Sequence, residues 1–204
     1  MEKNNKPPNG WVETTIGKLY EIVGGGTPST KNSSYWNGKF PWVTSADIYG
    51  IKDIRSQRKV TKKGIENSST HLVPAGSILV VTRVGLGKLA ITDIPICTNQ
   101  DVQTLVGNDN VVFPPYALHY LSSAVLIFKY NNRGTTISGV TKKQLSDLNF
   151  FLPPFTEQKR IVEKIEEMLS KINSGEKQLR EILGIVSARI TKGKSQNIED
   201  DINR

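Results

Sequence analysis

Chemically versatile side chains are scarce in this 204-residue chain: it has one Cys, two His and two Met. A single cysteine excludes an internal disulfide and any cysteine-rich metal site. Cys97 ends the apolar stretch Ile94-Pro-Ile-Cys97, which fits a small buried hydrophobe better than a nucleophile. His71 and His119 have no acidic or cysteine partners at ligand spacing, and two isolated histidines give no basis for a Ser/His/Asp arrangement. No apolar run reaches the ~18 residues of a membrane span. The opening Met1-Glu-Lys-Asn-Asn-Lys-Pro-Pro lacks the apolar stretch of a secretion signal, so a cytoplasmic protein with no membrane association is expected. The first 155 residues contain no internal repeat. The 37% hydrophobic content is enough for one core.

The formal charge of +8 is unevenly spread. Residues 1–155 hold 17 Lys/Arg against 10 Asp/Glu, whereas residues 156–190 and 191–204 are nearly balanced, so the positive excess belongs to the first part. Within it, Lys52, Arg55, Arg58, Lys59, Lys62 and Lys63 crowd a dozen positions opposed only by Asp53. Such a run is what a polyanion requires, because neutralising each phosphate releases counterions. A solvated basic face is the competing reading.

Short apolar runs separated by turn signals give residues 1–155 the pattern of a mixed α/β (α+β) domain. Ile16, Leu19, Tyr20 and Val23 fall at helical spacing and predict a short helix over 16–23, broken by Gly24-Gly-Gly-Thr-Pro-Ser-Thr. Strands are predicted at Pro41–Thr44, leading into a turn at Ser45–Asp47, and at Ser77–Thr82, Leu89–Thr92 and Val102–Val106. Pro115 can open a helix with an apolar face of Tyr116, Leu118, Leu121, Val125, Leu126 and Phe128. Thr141-x-x-Gln144 is a capping-box pattern before a short third helix.

After Pro153-Pro154, Thr156 is placed to cap a long helix with Glu157 in its first turn. Its seam reads Ile161, Ile165, Met168, Ile172, Gly175, Leu179, Ile182 and Val186, with spacings alternating between four and three. The opposite face carries Lys159, Arg160, Glu163, Lys164, Glu167, Lys171, Glu176 and Lys177. A rod over residues 157–190, roughly 50 Å long at ~1.5 Å per residue, outreaches a globule of this size. Its seam therefore predicts self-association or capture of a matching helix. Gly175 weakens it by up to ~1 kcal/mol relative to Ala unless close approach or a bend uses the glycine. The expected organisation is a globular domain over 1–155, a spacer and dimerisation helix over 156–191 and a flexible tail over 192–204.

Four candidate motifs fail on inspection. Gly24-Gly-Gly-Thr-Pro-Ser-Thr-Lys31 has Ser29 where a phosphate loop needs glycine, has Lys31 one residue late, and follows a predicted helix rather than a strand. Gly85-Leu-Gly-Lys88 lacks the remaining glycines and reads as a tight turn. Phe113-Pro-Pro-Tyr116 resembles the N-P-P-Y loop of DNA amino-methyltransferases, but Phe113 cannot accept the hydrogen bond that the loop's polar residue accepts. Glu157-Gln-Lys159 with Asp147 matches a nuclease pattern that belongs at a strand end against a metal, not at a helix start.

An ordered set of stretches remains: Trp11-Val-Glu-Thr-Thr-Ile-Gly-Lys-Leu19, Gly24-Gly-Gly-Thr-Pro-Ser29, Tyr35-Trp-Asn-Gly-Lys-Phe-Pro-Trp42, Leu72-Val-Pro-Ala-Gly-Ser-Ile-Leu79, Thr98-Asn-Gln100, Gly134-Thr-Thr136 and Leu152-Pro-Pro-Phe-Thr-Glu-Gln-Lys-Arg-Ile-Val162. Together with the long helix, this order resembles one half of the specificity subunit of a type I restriction-modification system.

The resemblance implies a target-recognition domain that reads one half of a split double-stranded DNA sequence. It also implies a subunit that does no chemistry and binds no cofactor. Catalysis would belong to a methyltransferase subunit using S-adenosylmethionine to methylate adenine, and to a restriction subunit using ATP and Mg. The family pattern has two recognition units, and this chain carries one. A homodimer through an antiparallel coiled coil is therefore expected, reading a palindromic, interrupted target. Half-site centres would lie about one to one and a half helical turns apart.

Candidate phosphate contacts are Arg55, Arg58, Lys59, Lys62, Lys63, Lys142 and Lys143, the last two in the first turn of the Thr141-capped helix. Arg83 and Arg133 flank glycine-containing turns and are candidates for a groove. Tyr35 and Trp36 can each stack or pack, core packing being the favoured role for Trp36. Two alternatives stay open: an adaptor whose helix captures another partner, and a sequence-independent nucleic-acid binder.

Overall fold

The computed structural model describes residues 7–131 and 139–202, with side chains described for 7–124, 139–185 and Ser187. The chain divides into two compact units, Met1–Arg160 and Ile161–Arg204. In chain order the first unit contains β1 (Val12–Thr15), α1 (Ile16–Leu19), β2 (Tyr20–Gly24), β3 (Trp36–Val43), β4 (Ile48–Gly50), β5 (Asp53–Ile54), β6 (Arg58–Val60), α2 (Lys62–Glu66), β7 (Ile78–Val81), β8 (Leu89–Ile91), β9 (Cys97–Thr98), β10 (Val102–Gly107), α3 (Pro114–Asn131), α4 (Lys142–Ser146) and β11 (Asn149–Leu152). Single 3-10 turns cover Ser33–Tyr35 and Ser45–Asp47. The helix α5 (Phe155–Ile202) begins in the first unit and makes up the second.

The architecture is mixed α/β. An antiparallel sheet of order β2-β10-β7-β8 sits beside a mixed sheet of order β6-β3-β9, and β1 pairs antiparallel with β11. The runs Ile78–Val81 and Leu89–Ile91 are buried throughout, as expected of strands covered on both faces. Val43, Leu79, Val81, Ile96 and Val102 share one apolar cluster, while Trp36, Trp42, Val60 and Cys97 form a second. Gly85 and Gly87 adopt positive φ values of 86° and 104° in the tight turn between β7 and β8.

The helix expected over 16–23 is corrected: only Ile16–Leu19 is helical, and Tyr20–Gly24 is a strand paired with β10. Tyr20 and Ile22 are buried with Glu21 exposed between them, a two-residue period hidden inside a set of apolar positions that also fits a helix. The long sheet partner decides between the periods. Gly24 consequently ends a strand, so one ground for dismissing a phosphate loop falls. The rest stands, because no helix begins until a 3-10 turn at Ser33.

The predicted strands at 41–44, 77–82, 89–92 and 102–106 are present within a residue or two of their ends, and β3 starts five residues earlier, at Trp36. The α3 helix opens at Pro114, and Tyr116, Leu118 and Leu121 are buried as expected. Val125, Leu126 and Phe128 lie outside the described side chains. The capping box at Thr141 forms in full, with its hydroxyl accepting from the Gln144 N–H and the Gln144 carboxamide accepting from the Thr141 N–H.

At the start of α5 the expected cap is corrected. The helix begins at Phe155, so Thr156 lies inside its first turn, and the Pro154 carbonyl accepts from the Glu157 and Gln158 N–H groups. Proline suits the positions before a first turn because it donates no N–H. Gln158 is fully buried. Its Oε1 accepts from the Phe113 N–H at 2.7 Å, and its Nε2 donates to the carbonyls of Val111 and Pro153 at 3.0 Å each. One primary amide thus satisfies three backbone groups of two segments. Phe113 is held by this bond at the mouth of α3, and Tyr116 and Tyr120 donate their hydroxyls to the Phe151 and Asn149 carbonyls of β11.

In the second unit, α5 runs without interruption through Gly175 and Gly184, where added Cβ atoms would meet open space. The helix is not broken at Gly175, and none of the described residues of this chain packs against it. Ile161 and Ile165 are half-buried, whereas Met168, Ile172, Leu179 and Ile182 are each more than half exposed. Leu169, Leu183 and Ile185 add further exposed apolar surface. Val186 lies outside the described side chains. The flexible tail expected over 192–204 is corrected: the helix continues to Ile202, about 70 Å from its start. No proline occurs after Pro154, so nothing in the covalent chain forces the helix to stop.

Two measurements follow from this packing. Gln158→Leu keeps the volume but leaves one buried and two part-buried backbone groups without their partner; it is expected to lower stability by about 2–4 kcal/mol, read as a lower urea midpoint at unchanged slope. An unaltered midpoint counts against the clamp. Burial pushes the Cys97 thiol up to about 11, with the Thr70 hydrogen bond opposing the shift only in part. A maleimide at pH 8 should therefore leave native protein unlabelled and label it stoichiometrically in urea. Rapid native labelling contradicts the buried position.

Candidate nucleic-acid interface

The basic run of residues 52–63 does not form one patch. Arg58 and Lys59 are successive residues of β6, so their side chains leave opposite faces of the sheet. Lys59 lines a cavity of about 440 Å³ with Lys52, Pro41, Ile54 and Ile94. Arg55 is held by Asp53 through two hydrogen bonds of 2.8 and 2.7 Å and lies over the Tyr49 ring. That bonding keeps the Asp53 carboxyl below the usual carboxylate range. Lys62 stands 3.6 Å from Glu66, and Lys63 is exposed on the same short helix.

Arg58 lies on the face that holds the tryptophans. Its guanidinium carbon sits 3.5 Å from the centroid of the Trp36 ring and 5.4 Å from that of Trp42. The two indoles meet edge to face at 5.2 Å. Trp36 is buried, as expected, and Tyr35 is half-buried against the same cluster, with its carbonyl accepting from Thr61. A backbone irregularity between Trp36 and Phe40 makes the arrangement possible. Asn37 takes a positive φ of 61°, and a Cβ on Gly38 would lie 2.3 Å from the Val60 carbonyl oxygen. Lys62 and Lys63 stay beside Tyr35 because α2 packs on it through Gly64.

From this corner a continuous series of contacts crosses to the other basic residues. Trp42 Nε1 donates to the Gly26 carbonyl at 2.9 Å, and the Gly26 N–H donates to the Thr98 carbonyl at 2.8 Å. The exposed Thr27 hydroxyl donates to Gln100 Oε1 at 2.7 Å. Next along the chain, Asp101 accepts from Asn99 Nδ2 and lies 3.7 Å from Arg83 Nε. The Thr82 carbonyl accepts from the Val140 N–H, which brings the loop before α4 against Arg83. Lys142 and the Asp147-paired Lys143 begin that helix.

Of the residues read from the sequence, the structure brings Tyr35, Arg58, Lys62 and Lys63 to one end of this series and Arg83, Lys142 and Lys143 to the other. It separates Lys59, and it engages Arg55 with a carboxylate. Arg133 and the Gly134–Thr136 motif lie outside the described residues. Thr27 and Gln100 went unrecognised as a pair, although both lie in stretches that carried the resemblance. No local spacing signals a contact between residues 73 positions apart.

The nuclease-like residues are engaged elsewhere. Glu157 accepts both Arg160 hydrogen bonds, which keep its carboxyl below the usual range, and Lys159 lies over the Phe155 ring. Asp147 takes Lys143 as its partner.

Residues 8–183 match the model of a family described as the type I restriction modification DNA specificity domain. The chain is 30% identical over 193 residues to the type I restriction enzyme MjaIX specificity subunit of Methanocaldococcus jannaschii, a match covering 92% of this chain and 44% of that protein. It is 29% identical over 167 residues to the EcoR124I/EcoR124II specificity subunit of Escherichia coli, covering 78% and 41%. Among solved structures, the HsdS subunit from Thermoanaerobacter tengcongensis superposes with a TM-score of 0.66 at 20% identity over 84% of this chain and 40% of that one. The S subunit from M. genitalium gives 0.53 at 16% identity, over 87% and 44%. At these identities the structural likeness speaks to fold alone. The chain spans less than half the length of the relatives it matches. A match over residues 8–183, covering both the mixed α/β unit and most of the helix that follows, makes this chain a member of the type I restriction-modification DNA specificity family.

Proposed function

We propose that the chain is a non-catalytic DNA-recognition module that reads one half of a bipartite target and directs partner subunits to it. The observation that carries this reading is the series of contacts that ties Arg58 through the Trp42–Gly26–Thr98 hydrogen bonds to Thr27, Gln100, Arg83 and Lys142, in a chain of this family. Exposed cations without carboxylate partners among the described residues, such as Lys63 and Lys142, suit phosphate contacts, which fix register without reading sequence. Catalysis belongs to partners: a methyltransferase subunit that uses S-adenosylmethionine on adenine, and a restriction subunit that uses ATP and Mg. This chain binds none of these cofactors.

The second half of the proposal concerns α5. Met168, Ile172, Leu179 and Ile182 present a heptad seam to water, and hydrophobic burial of that seam favours a second helix. Two copies joined in antiparallel fashion about a two-fold axis would each read the same half-site, so the target would be palindromic and interrupted.

Sedimentation at micromolar concentration should give twice the 22.6 kDa chain mass. Substituting Ile172 and Leu179 by Asp should give monomer with unchanged Trp fluorescence. A monomeric wild type would sink the homodimer and favour a helix of another chain as the partner. Mapping N6-methyladenine in DNA from cells with and without the gene should reveal an interrupted motif that depends on it. Identical methylation patterns would favour an adaptor role for the helix.

A further inference from the structure

We propose that Arg58 is a base-reading side chain that presents its guanidinium edge to the O6 and N7 acceptors of a guanine in the major groove. This rests on the recognition role proposed above and assigns Arg58 a different task from the phosphate-binding lysines around it.

The argument begins with what remains free on each arginine. Direct readout of guanine needs two coplanar N–H donors, held in place and not already spent on a carboxylate. Four arginines of the first unit have described side chains. Arg55 spends Nε and one terminal nitrogen on Asp53, and Arg160 does the same on Glu157. Arg83 lies 3.7 Å from Asp101. Arg58 alone has no carboxylate partner among the described residues, yet its side chain remains exposed.

Its position is nevertheless fixed. The guanidinium carbon lies 3.5 Å from the Trp36 ring centroid, too close for an N–H to point into the ring, so the contact uses the guanidinium face and spends none of the N–H edge on a carboxylate. The indole beneath is itself anchored, since Trp36 Nε1 donates to the Ser29 carbonyl at 3.1 Å, and Trp42 Nε1 holds the same loop through Gly26. The Ser56 hydroxyl lies 3.0 Å from the Trp42 carbonyl and 2.8 Å from that of Arg58, bracing the β6 backbone. A pre-positioned fork loses less rotamer entropy on contact than a free lysine does, and a lysine offers a point charge where a guanine edge has two acceptors.

The test uses the full-length chain and Arg58→Lys, which keeps the charge and removes the fork. Methylated motifs are mapped in cells carrying wild type, Arg58→Lys or no gene, and binding is then measured on duplexes bearing the wild-type motif and its single-base variants. Arg58→Lys should relax the motif at one G·C pair and reduce discrimination there by about ten- to a hundredfold, with the salt slope unchanged. An unchanged motif in Arg58→Lys overturns the proposal. So does an Arg58→Ala chain that loses affinity equally on every duplex with a slope shallower by about one, because that marks a phosphate contact. A fall in unfolding midpoint for Arg58→Lys with the motif intact makes Arg58 a brace for Trp36 and likewise overturns it. If no motif depends on the gene even with the wild type, the recognition role itself fails and takes this assignment with it.

Discussion

The backbone of Gly25 lies against Thr98 and Asn99, and that of Gly26 against Ser69 and Thr70, too closely for any side chain to intervene, and the candidate site is organised around those contacts. A Cβ on Gly25 would fall 2.1 Å from the Asn99 carbonyl oxygen, and one on Gly26 2.1 Å from Ser69 Oγ. The approach lets Gly26 bond Thr98 on one side and take the Trp42 indole on the other. Thr27 is then carried to Gln100, and the tryptophan pair that seats Arg58 is tied to the strand end from which Asp101 meets Arg83. The two sheets meet at one loop, and polar groups distant in sequence line up across it.

Gln158 plays a comparable part at the start of α5. A buried primary amide costs free energy unless both its donor and its acceptor are used, and here both are. The same residue looked like the middle of a nuclease pattern when only its neighbours in sequence were considered. Its flanking charges turn outward to Arg160 and to the Phe155 ring, so the Glu-Gln-Lys order reflects a helix start with one inward position.

The basic run of 52–63 shows how far a charge count carries. It located cations correctly, but a strand sends alternate residues to opposite faces, and an aspartate two positions from Arg55 takes up its donors. The six residues therefore differ in role: one is stacked on an indole, two line a cavity, one is bound to a carboxylate and two project from a short helix. The stretch 16–23 erred for a related reason. Its apolar positions fit both periods, and only pairing with β10 selects the strand.

Much was determined by the sequence alone, because it depends on neighbours a few residues apart. The capping box at Thr141, the tight turn at Gly85–Gly87, the buried run of β7 and the heptad seam of α5 all follow from local spacing and backbone preference. The order of motifs likewise identified the family. Tertiary structure decided what depends on chain segments meeting: the strand at Tyr20, the helix start at Phe155, the three bonds of Gln158, the Thr27–Gln100 pair and the separation of Arg58 from Lys59. Side-chain direction and hydrogen-bond satisfaction are set by which backbones come into contact, and a linear pattern carries no measure of that.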